Sequence, residues 1–461
     1  MRRENAAREG YDIYRWFRRA AQRGDPYAQF NLALLYLRGE VVERDDGHGA
    51  AWMGRAAEQG LAFAQSHLGA LYYNGRGVDR CHVRAARWFR RAAEQGDRSS
   101  QYNLGLLYRR GRGVRQSHER ALEWFYRAAE QGMSRAQSQL AECYLHGRGA
   151  AVSYPLAMAW FRKAALQDQV HAQLHLALMY ALGHGVAPSP AQALYWFRHA
   201  ASAGNPVAQR HLGLAYAQGS GVRADPLCAQ RWLERAAQQG DLEAQYALGD
   251  LLAAGGGPVR DSARALGWFR RAADGGHAQA QYRAGRMVAG GCGVRRDPSR
   301  ALVFYLQAAE QGAANAQFAL GLMYAKGQGV ARDLSRAADW YRRAAQQGDA
   351  SAQNNLGALY AAGNGVARDD ALAAIWYGHA AEQGHALAQY NLAGLYAAGR
   401  GVERDLVRAC MWLWLAARGG APAGELGEVL AAALDPAQRL HARALAGRWQ
   451  ARREAGRGDG A

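Results

Sequence analysis

Lysine is almost missing from this chain of 461 residues: Lys163 and Lys326 are the only two, so the formal net charge of +18 rests on arginine. So one-sided a usage reads as compositional bias rather than selection for guanidinium chemistry. The excess is also spread thinly, and without a concentrated basic block it does not by itself designate nucleic acid or an anionic membrane. Proline is scarce at 10 residues while glycine reaches 56, a balance that suits short helices separated by glycine turns rather than disorder. The 5 cysteines, at 81, 143, 228, 292 and 410, form an odd set without a CxxC pair. That argues against a disulfide ladder or a zinc ribbon and fits a reducing compartment. No run of 18 apolar residues occurs, and the start MRRENAAREGYDIYRWF has no apolar core for a signal peptide. A soluble cytoplasmic protein without membrane insertion is therefore expected, periplasmic only if a segment precedes this start. No GxSxG, P-loop, dinucleotide fingerprint or HExxH is present, so no catalytic residue and no cofactor is assigned, and a non-enzyme is expected.

What the chain does have is a period. Trp stands at 16, 52, 88, 124, 160, 196, 232, 268, 340, 376 and 412, with Phe304 filling the one break, at a constant spacing of 36 residues. A chain of this length exceeds one compact core, and the period decides for a quasi-linear array. Residues 1–23 read as half a repeat, 24–419 as eleven repeats without insertion or deletion, and 420–461 as capping helices followed by a frayed tail. A monomer is expected.

Each repeat reads as two helices. The first, about Pro26 to Arg38 in repeat one, keeps Ala28, Leu32, a small residue at 33 and Tyr36 on one face, and Gly39 ends it in the left-handed conformation. The Asp45 position is Asp or Ser in ten of eleven repeats, Cys81 being the exception, which is N-cap chemistry for the second helix. On that helix a large Trp ring packs among alanines. Gly closes it, with Asp168 as the exception. Gln29 recurs as Gln in all eleven repeats and is read as a structural hydrogen-bonding group at each helix junction. Past Gly420, Asp435-Pro436 splits two further amphipathic helices as N-cap and N1. Leu252 and Val288 replace the usual Tyr, and the turn between them reads GGGPV at 255–259, so a softer joint is expected near 245–295.

The combination AxxNLGxLYxxGxGV, a capping acid, and AxxWFRRAAEQG resembles the Sel-1-like repeat family, a relative of the tetratricopeptide repeat. The resemblance implies an all-α, right-handed superhelical solenoid whose first helices line a concave groove. It further implies adaptor or scaffold roles, often in bacterial signalling or envelope assembly. The DPAQRLHARALAGRW tail is similar to the terminal capping helix of bacterial members. Hydrolase activity, suggested for some cysteine-rich relatives, is not carried over, because their cysteines and a visible nucleophile and base are missing here.

If the first helices line a groove, function sits at their positions off the packing stripe. One such position carries aromatics, among them Tyr102, Tyr246, Tyr282 and Phe318. The next carries amides or imidazoles, among them Asn103, His175 and His211, with Arg283 in repeat eight. Tetratricopeptide relatives resemble this in clamping a peptide with Asn and basic residues. Both positions read equally well as packing residues. The stronger candidates depart from the repeat: Arg109, Arg110, Arg135, His171, Arg210, Arg286 and Lys326. They make the groove basic in its middle and predict an acidic peptide segment or C-terminal carboxylate of another protein as ligand. A second basic line, Arg55, Arg91, Arg127 and equivalents, stands three residues before Glu58, Glu94 and Glu130 and reads as solvated i, i+3 ion pairs. Binding of nucleic acid along that line is the alternative, without the interleaved aromatics that stack bases. His171 and His175 have the i, i+4 spacing that holds a metal, but no carboxylate completes the set in the sequence, so no metal is assigned.

Overall fold

The computed structural model describes residues 2–254, 260–421 and 424–458. Every regular element among them is an α-helix, 25 in number. None is long and apolar enough to cross a membrane. The helices group into two compact units, Met1–Asp225 and Pro226–Ala461.

The first unit begins with α1 (Arg2–Gln22). First helices of the repeats are α2 (Pro26–Arg38), α4 (Ala62–Asn74), α6 (Arg98–Arg110), α8 (Ser134–His146), α10 (Val170–Leu182) and α12 (Pro206–Gln218). Second helices are α3 (Asp46–Glu58), α5 (His82–Glu94), α7 (His118–Glu130), α9 (Tyr154–Ala165) and α11 (Pro190–Ser202). The second unit repeats the scheme with second helices α13 (Pro226–Gln238), α15 (Ser262–Asp274), α17 (Pro298–Glu310), α19 (Leu334–Gln346), α21 (Asp370–Glu382) and α23 (Leu406–Arg418). Its first helices are α14 (Leu242–Ala254), α16 (Ala278–Gly290), α18 (Ala314–Lys326), α20 (Ala350–Ala362) and α22 (Ala386–Ala398), followed by α24 (Gly424–Ala433) and α25 (Pro436–Gly458).

The helix bounds follow from capping. The Asp25 carboxylate accepts the backbone N–H groups of Tyr27 and Ala28 and starts α2; Gly39, at φ 69°, ends it. The Ser117 hydroxyl accepts from the Arg120 N–H at the start of α7. Ser153 and Cys81 make no such side-chain bond. Asp168 takes over the place of glycine and adopts the left-handed backbone itself, at φ 56°.

The Trp expected to pack among alanines shares the core with the residue that follows it. The residue after the Trp is the more deeply buried one: Phe125 and Phe161 are wholly buried, while Trp124 and Trp160 keep 8% exposure and Trp88 is half-buried. A small residue on the preceding first helix receives the ring, since a Cβ at Gly105 would lie 2.6 Å from Cε1 of Phe125. The outer face of the Trp is covered, in Trp52, Trp88 and Trp124 among others, by the arginine three residues on.

The glutamine ladder is a structural hydrogen-bond system with two rungs per repeat. Gln101 Nε2 donates to the Ala93 carbonyl at 3.1 Å, and Gln131 Nε2 donates to Gln101 Oε1 at 2.8 Å. The same pair of bonds recurs at Gln65 with Gln95 and at Gln281 with Gln311. Gly275 stands where Gln245 would find its second partner, and Gln245 Oε1 is buried without one.

At the C-terminal end α25 packs on α23. Asp435 and Gln438 cap each other, Gln438 N–H to Asp435 Oδ1 at 2.7 Å and Asp435 N–H to Gln438 Oε1 at 3.0 Å. Trp449 packs edge-on against Trp412 and donates from Nε1 to Glu382 at 2.6 Å. Of the tail expected to be frayed, residues through Gly458 are helical, and 459–461 lie outside the described residues. Of the softer joint expected near 245–295, the turn at 255–259 lies outside the described residues, while Leu252 and Val288 are fully buried.

Candidate functional site

The exposed face of the first helices divides into residues that serve packing and residues that do not. Tyr102 packs against Phe125 with ring centroids 6.0 Å apart. His175 lies flat on Phe161 at 5.0 Å, and His211 on Phe197 at 4.9 Å. In the second unit Tyr246, Tyr282 and Phe318 lie against Phe269, Tyr305 and Tyr341. Each of these candidate ligand-contacting rings thus braces the adjoining second helix, which explains why the positions repeat. Burial pushes the Tyr305 hydroxyl up to about 12.

The structure pairs several of the non-consensus cations within the chain. Arg109 donates to Gln139 Oε1 and stands 3.7 Å from Glu142. Arg283 meets Asp250 at 3.2 Å. Arg210 also has interactions within the chain. Arg110, Arg135, Arg286 and Lys326 are exposed, and among the described residues none of them has a hydrogen-bond or ion-pair partner. The basic middle expected for the groove is therefore partly neutralised: acids on neighbouring first helices meet Arg109 and Arg283.

A cavity of about 270 Å³ opens beside Arg110, between α4, α5 and α6. Phe89, Leu106, Leu107 and Ala70 form its apolar wall; Tyr73, Asn74, Asn103 and Arg110 supply polar groups. A second cavity of about 210 Å³ lies between α10, α11 and α12, lined by Phe197, His211, Leu214, Ala215 and Gln218 among others. Its register matches the first, shifted by 108 residues: Phe89 becomes Phe197, Asn103 becomes His211, and Arg110 becomes Gln218. Tyr73, Asn74 and Leu106 stand off the packing stripe of their first helices without being singled out, and Phe89, on a second helix, escaped sequence reasoning because a cavity is made by three helices jointly.

Between those two cavities, polar side chains bridge successive first helices. Glu142, on α8, directs Oε2 toward Arg109 and Oε1 toward His171 Nε2, the latter at 3.2 Å. His171 Nε2 is also 3.2 Å from His175 Nε2, and its Nδ1 is 3.1 Å from the Ser138 hydroxyl. The expectation that no carboxylate joins the histidine pair is thus corrected: Glu142 does, one repeat earlier in the chain. The sequence signal was the register, where Leu106, Leu178 and Leu214 stand at the equivalent sites. Burial, with His171 and His146 adding to it, pushes the His175 imidazole down to about 4. The neighbouring Cys143 thiol is pushed up to about 11 by burial, which keeps it protonated and unreactive.

The second-helix basic line also departs from expectation. Arg55, Arg91 and Arg127 make no ion pair with Glu58, Glu94 and Glu130; their guanidinium groups lie over Trp52, Trp88 and Trp124 at 4.4, 4.8 and 4.6 Å from the ring centroid. Lys163 does the same on Trp160 at 4.0 Å. A cation–π contact holds better than a solvated pair because the indole face is already half desolvated. Arg127 finds its acid one turn back, at Glu123.

A family model described as the Sel1 repeat matches the chain at 14–25, 26–61, 62–97, 98–133, 134–169, 170–205, 206–241, 242–277, 278–312, 314–349, 350–385 and 386–420. Among solved structures, a protective antigen of uropathogenic Escherichia coli that displays an SLR fold is 34% identical, with 95% of this chain and 94% of that chain covered at a TM-score of 0.83. A Sel1 repeat protein from Oxalobacter formigenes is 35% identical, covering 67% of this chain and 89% of its own, at a TM-score of 0.54. No curated protein matches the chain.

Proposed function

Because the chain belongs to the Sel1 repeat family, whose helical repeats generally mediate protein–protein interaction, we propose that it is a non-catalytic adaptor that holds an acidic peptide segment of another protein along the first helices of its N-terminal unit. One observation carries the reading: the cavity of about 270 Å³ joins an apolar wall to Asn103 and the unpaired Arg110. A space of that size takes one leucine or aromatic side chain. The Asn103 amide can bond the peptide backbone on either side, and the guanidinium can form a charge-assisted bond to a flanking carboxylate. The second cavity stands three repeats on and offers an imidazole, His211, in place of the amide. Three steps of about one helix diameter span roughly 30 Å, the length of about nine extended residues. Arg135 lies on α8, between the helices that line the two cavities, and extends the positive field.

The test is selection from a displayed random peptide library on the full chain. The proposal expects enriched sequences with an apolar side chain next to Asp or Glu, lost when the library is selected on an Arg110→Glu, Asn103→Ala variant. Enrichment of peptides without acids, or the same peptides on wild type and variant, would refute it. The stacking of the second-helix cations on Trp counts against nucleic acid, since it occupies the ring faces that bases would need.

A further inference from the structure

We propose that Glu142, His171 and His175 form a binding site for one zinc-class divalent cation, which joins α8 to α10. The inference stands apart from the adaptor reading and rests on different residues.

The geometry comes first. A tetrahedral ion with bonds of about 2.0–2.1 Å holds its ligand atoms about 3.3–3.4 Å apart. Two of the three edges of the donor triangle have this length already: His171 Nε2 is 3.2 Å from Glu142 Oε1 and 3.2 Å from His175 Nε2. All three donors lie within 4.8 Å of one another, so the third edge closes by side-chain torsion. Three protein ligands leave the fourth position for water or a partner's side chain, and two imidazoles with one carboxylate suit zinc better than calcium or magnesium.

Chemistry agrees. Three atoms with lone pairs converge on one point, and a single imidazole proton cannot satisfy all of them. A cation can. The supporting groups of a metal site are also present: the Ser138 hydroxyl meets His171 Nδ1 at 3.1 Å and can orient that ring, and Phe161 holds the His175 ring flat at 5.0 Å. Glu142 is mostly buried, its side chain 17% exposed, so its placement is not that of a wandering surface acid.

Register adds an independent argument. Glu142 and His171 both depart from the repeat, in adjacent repeats, at positions that touch. In the second unit the residues equivalent to Glu142 and His175 are Asp250 and Arg283, which close the same junction as an ion pair at 3.2 Å. There the cation is covalently part of the chain; at Glu142 it is to be supplied from solution.

The test uses the full chain stripped with chelator and titrated with zinc sulfate by calorimetry, with melting temperature as second readout. One tight zinc per chain is expected, with a rise in melting temperature. Glu142→Gln and His171→Asn, which keep the shape of the junction, should each weaken that site at least about tenfold and abolish the rise. Arg109→Ala removes a positive charge beside the ion and should tighten binding several-fold. Cobalt(II) should give the visible band of a four-coordinate centre in wild type and not in His171→Asn. The proposal is overturned by zinc binding that His171→Asn leaves unchanged, by the lack of any site tighter than in that variant, or by weaker binding in Arg109→Ala.

Discussion

The Arg91 guanidinium lies over the Trp88 ring, 4.8 Å from its centroid, while Phe89, the next residue, is buried against Gly69 of the preceding first helix. Two adjacent aromatics therefore do different work. Phe89→Ala should cost about 3–5 kcal/mol, the range for truncating a buried aromatic, whereas Arg91→Ala should cost about 0.5–1 kcal/mol. Native-state hydrogen exchange of α4 and α5 reads the difference locally, which suits a repeat protein better than a global melting curve.

Gln101 donates to the Ala93 carbonyl and accepts from the Gln131 amide, so its loss should exceed that of one ordinary hydrogen bond. Gln101→Ala removes one bond from the Ala93 carbonyl and one from the Gln131 amide, which keep the Gly96 N–H and the Gly96 carbonyl as partners, at a cost of about 1–3 kcal/mol for the two bonds together. Gln131→Ala should cost less, because its amide is more exposed. Denaturation of the two variants side by side checks the order.

Asp168 holds a left-handed backbone at φ 56° where the other repeats use glycine. Asp168→Gly should stabilise the junction of α9 and α10 by up to about 1 kcal/mol, since an L-residue is strained there by about 1–2 kcal/mol. The Asp168 carboxylate accepts a long bond from Gln173 at 3.4 Å, which reduces the gain. A lower stability in Asp168→Gly would show that this bond outweighs the backbone strain.

These features differ in how far the sequence discloses them. The bounds of α2 were legible because Asp25 and Gly39 act within four residues of the helix they end. The buried role of Gln29 and its equivalents was legible for the same reason: the acceptor is eight residues away. Its second partner was not, because Gln59 lies 30 residues on and reaches it only when two repeats stack. Arg55 and Glu58 satisfied the ion-pair spacing on paper, yet Trp52 one turn earlier offers the arginine a less hydrated partner. The Glu142 cluster depends on how α6, α8 and α10 are laid side by side, a relation no local pattern contains.

The imidazole of His175 titrates far below its ordinary 6.5, at about 4, mainly through burial. His171 and His146 add to this, while Glu142 and, beyond it, Arg109 complete the charged surroundings. In the unfolded chain the ring takes up a proton near its ordinary value, so between about 4 and 6.5 the unfolded state binds more protons. The contribution to stability is full above 6.5 and is lost as pH falls toward 4. In chelator-treated protein, denaturation midpoints should drop from pH 7 to pH 5 by more in wild type than in His175→Gln.

The affinity of a peptide selected on wild type decides the central claim, that departures from the repeat on the first helices recognise the partner. Fluorescence anisotropy should show Arg110→Glu weakening the peptide at least about tenfold, the worth of one charge-assisted bond, while Arg91→Glu on the second helix leaves it within about twofold. Equal effects of the two reversals, or none at Arg110, would contradict the account.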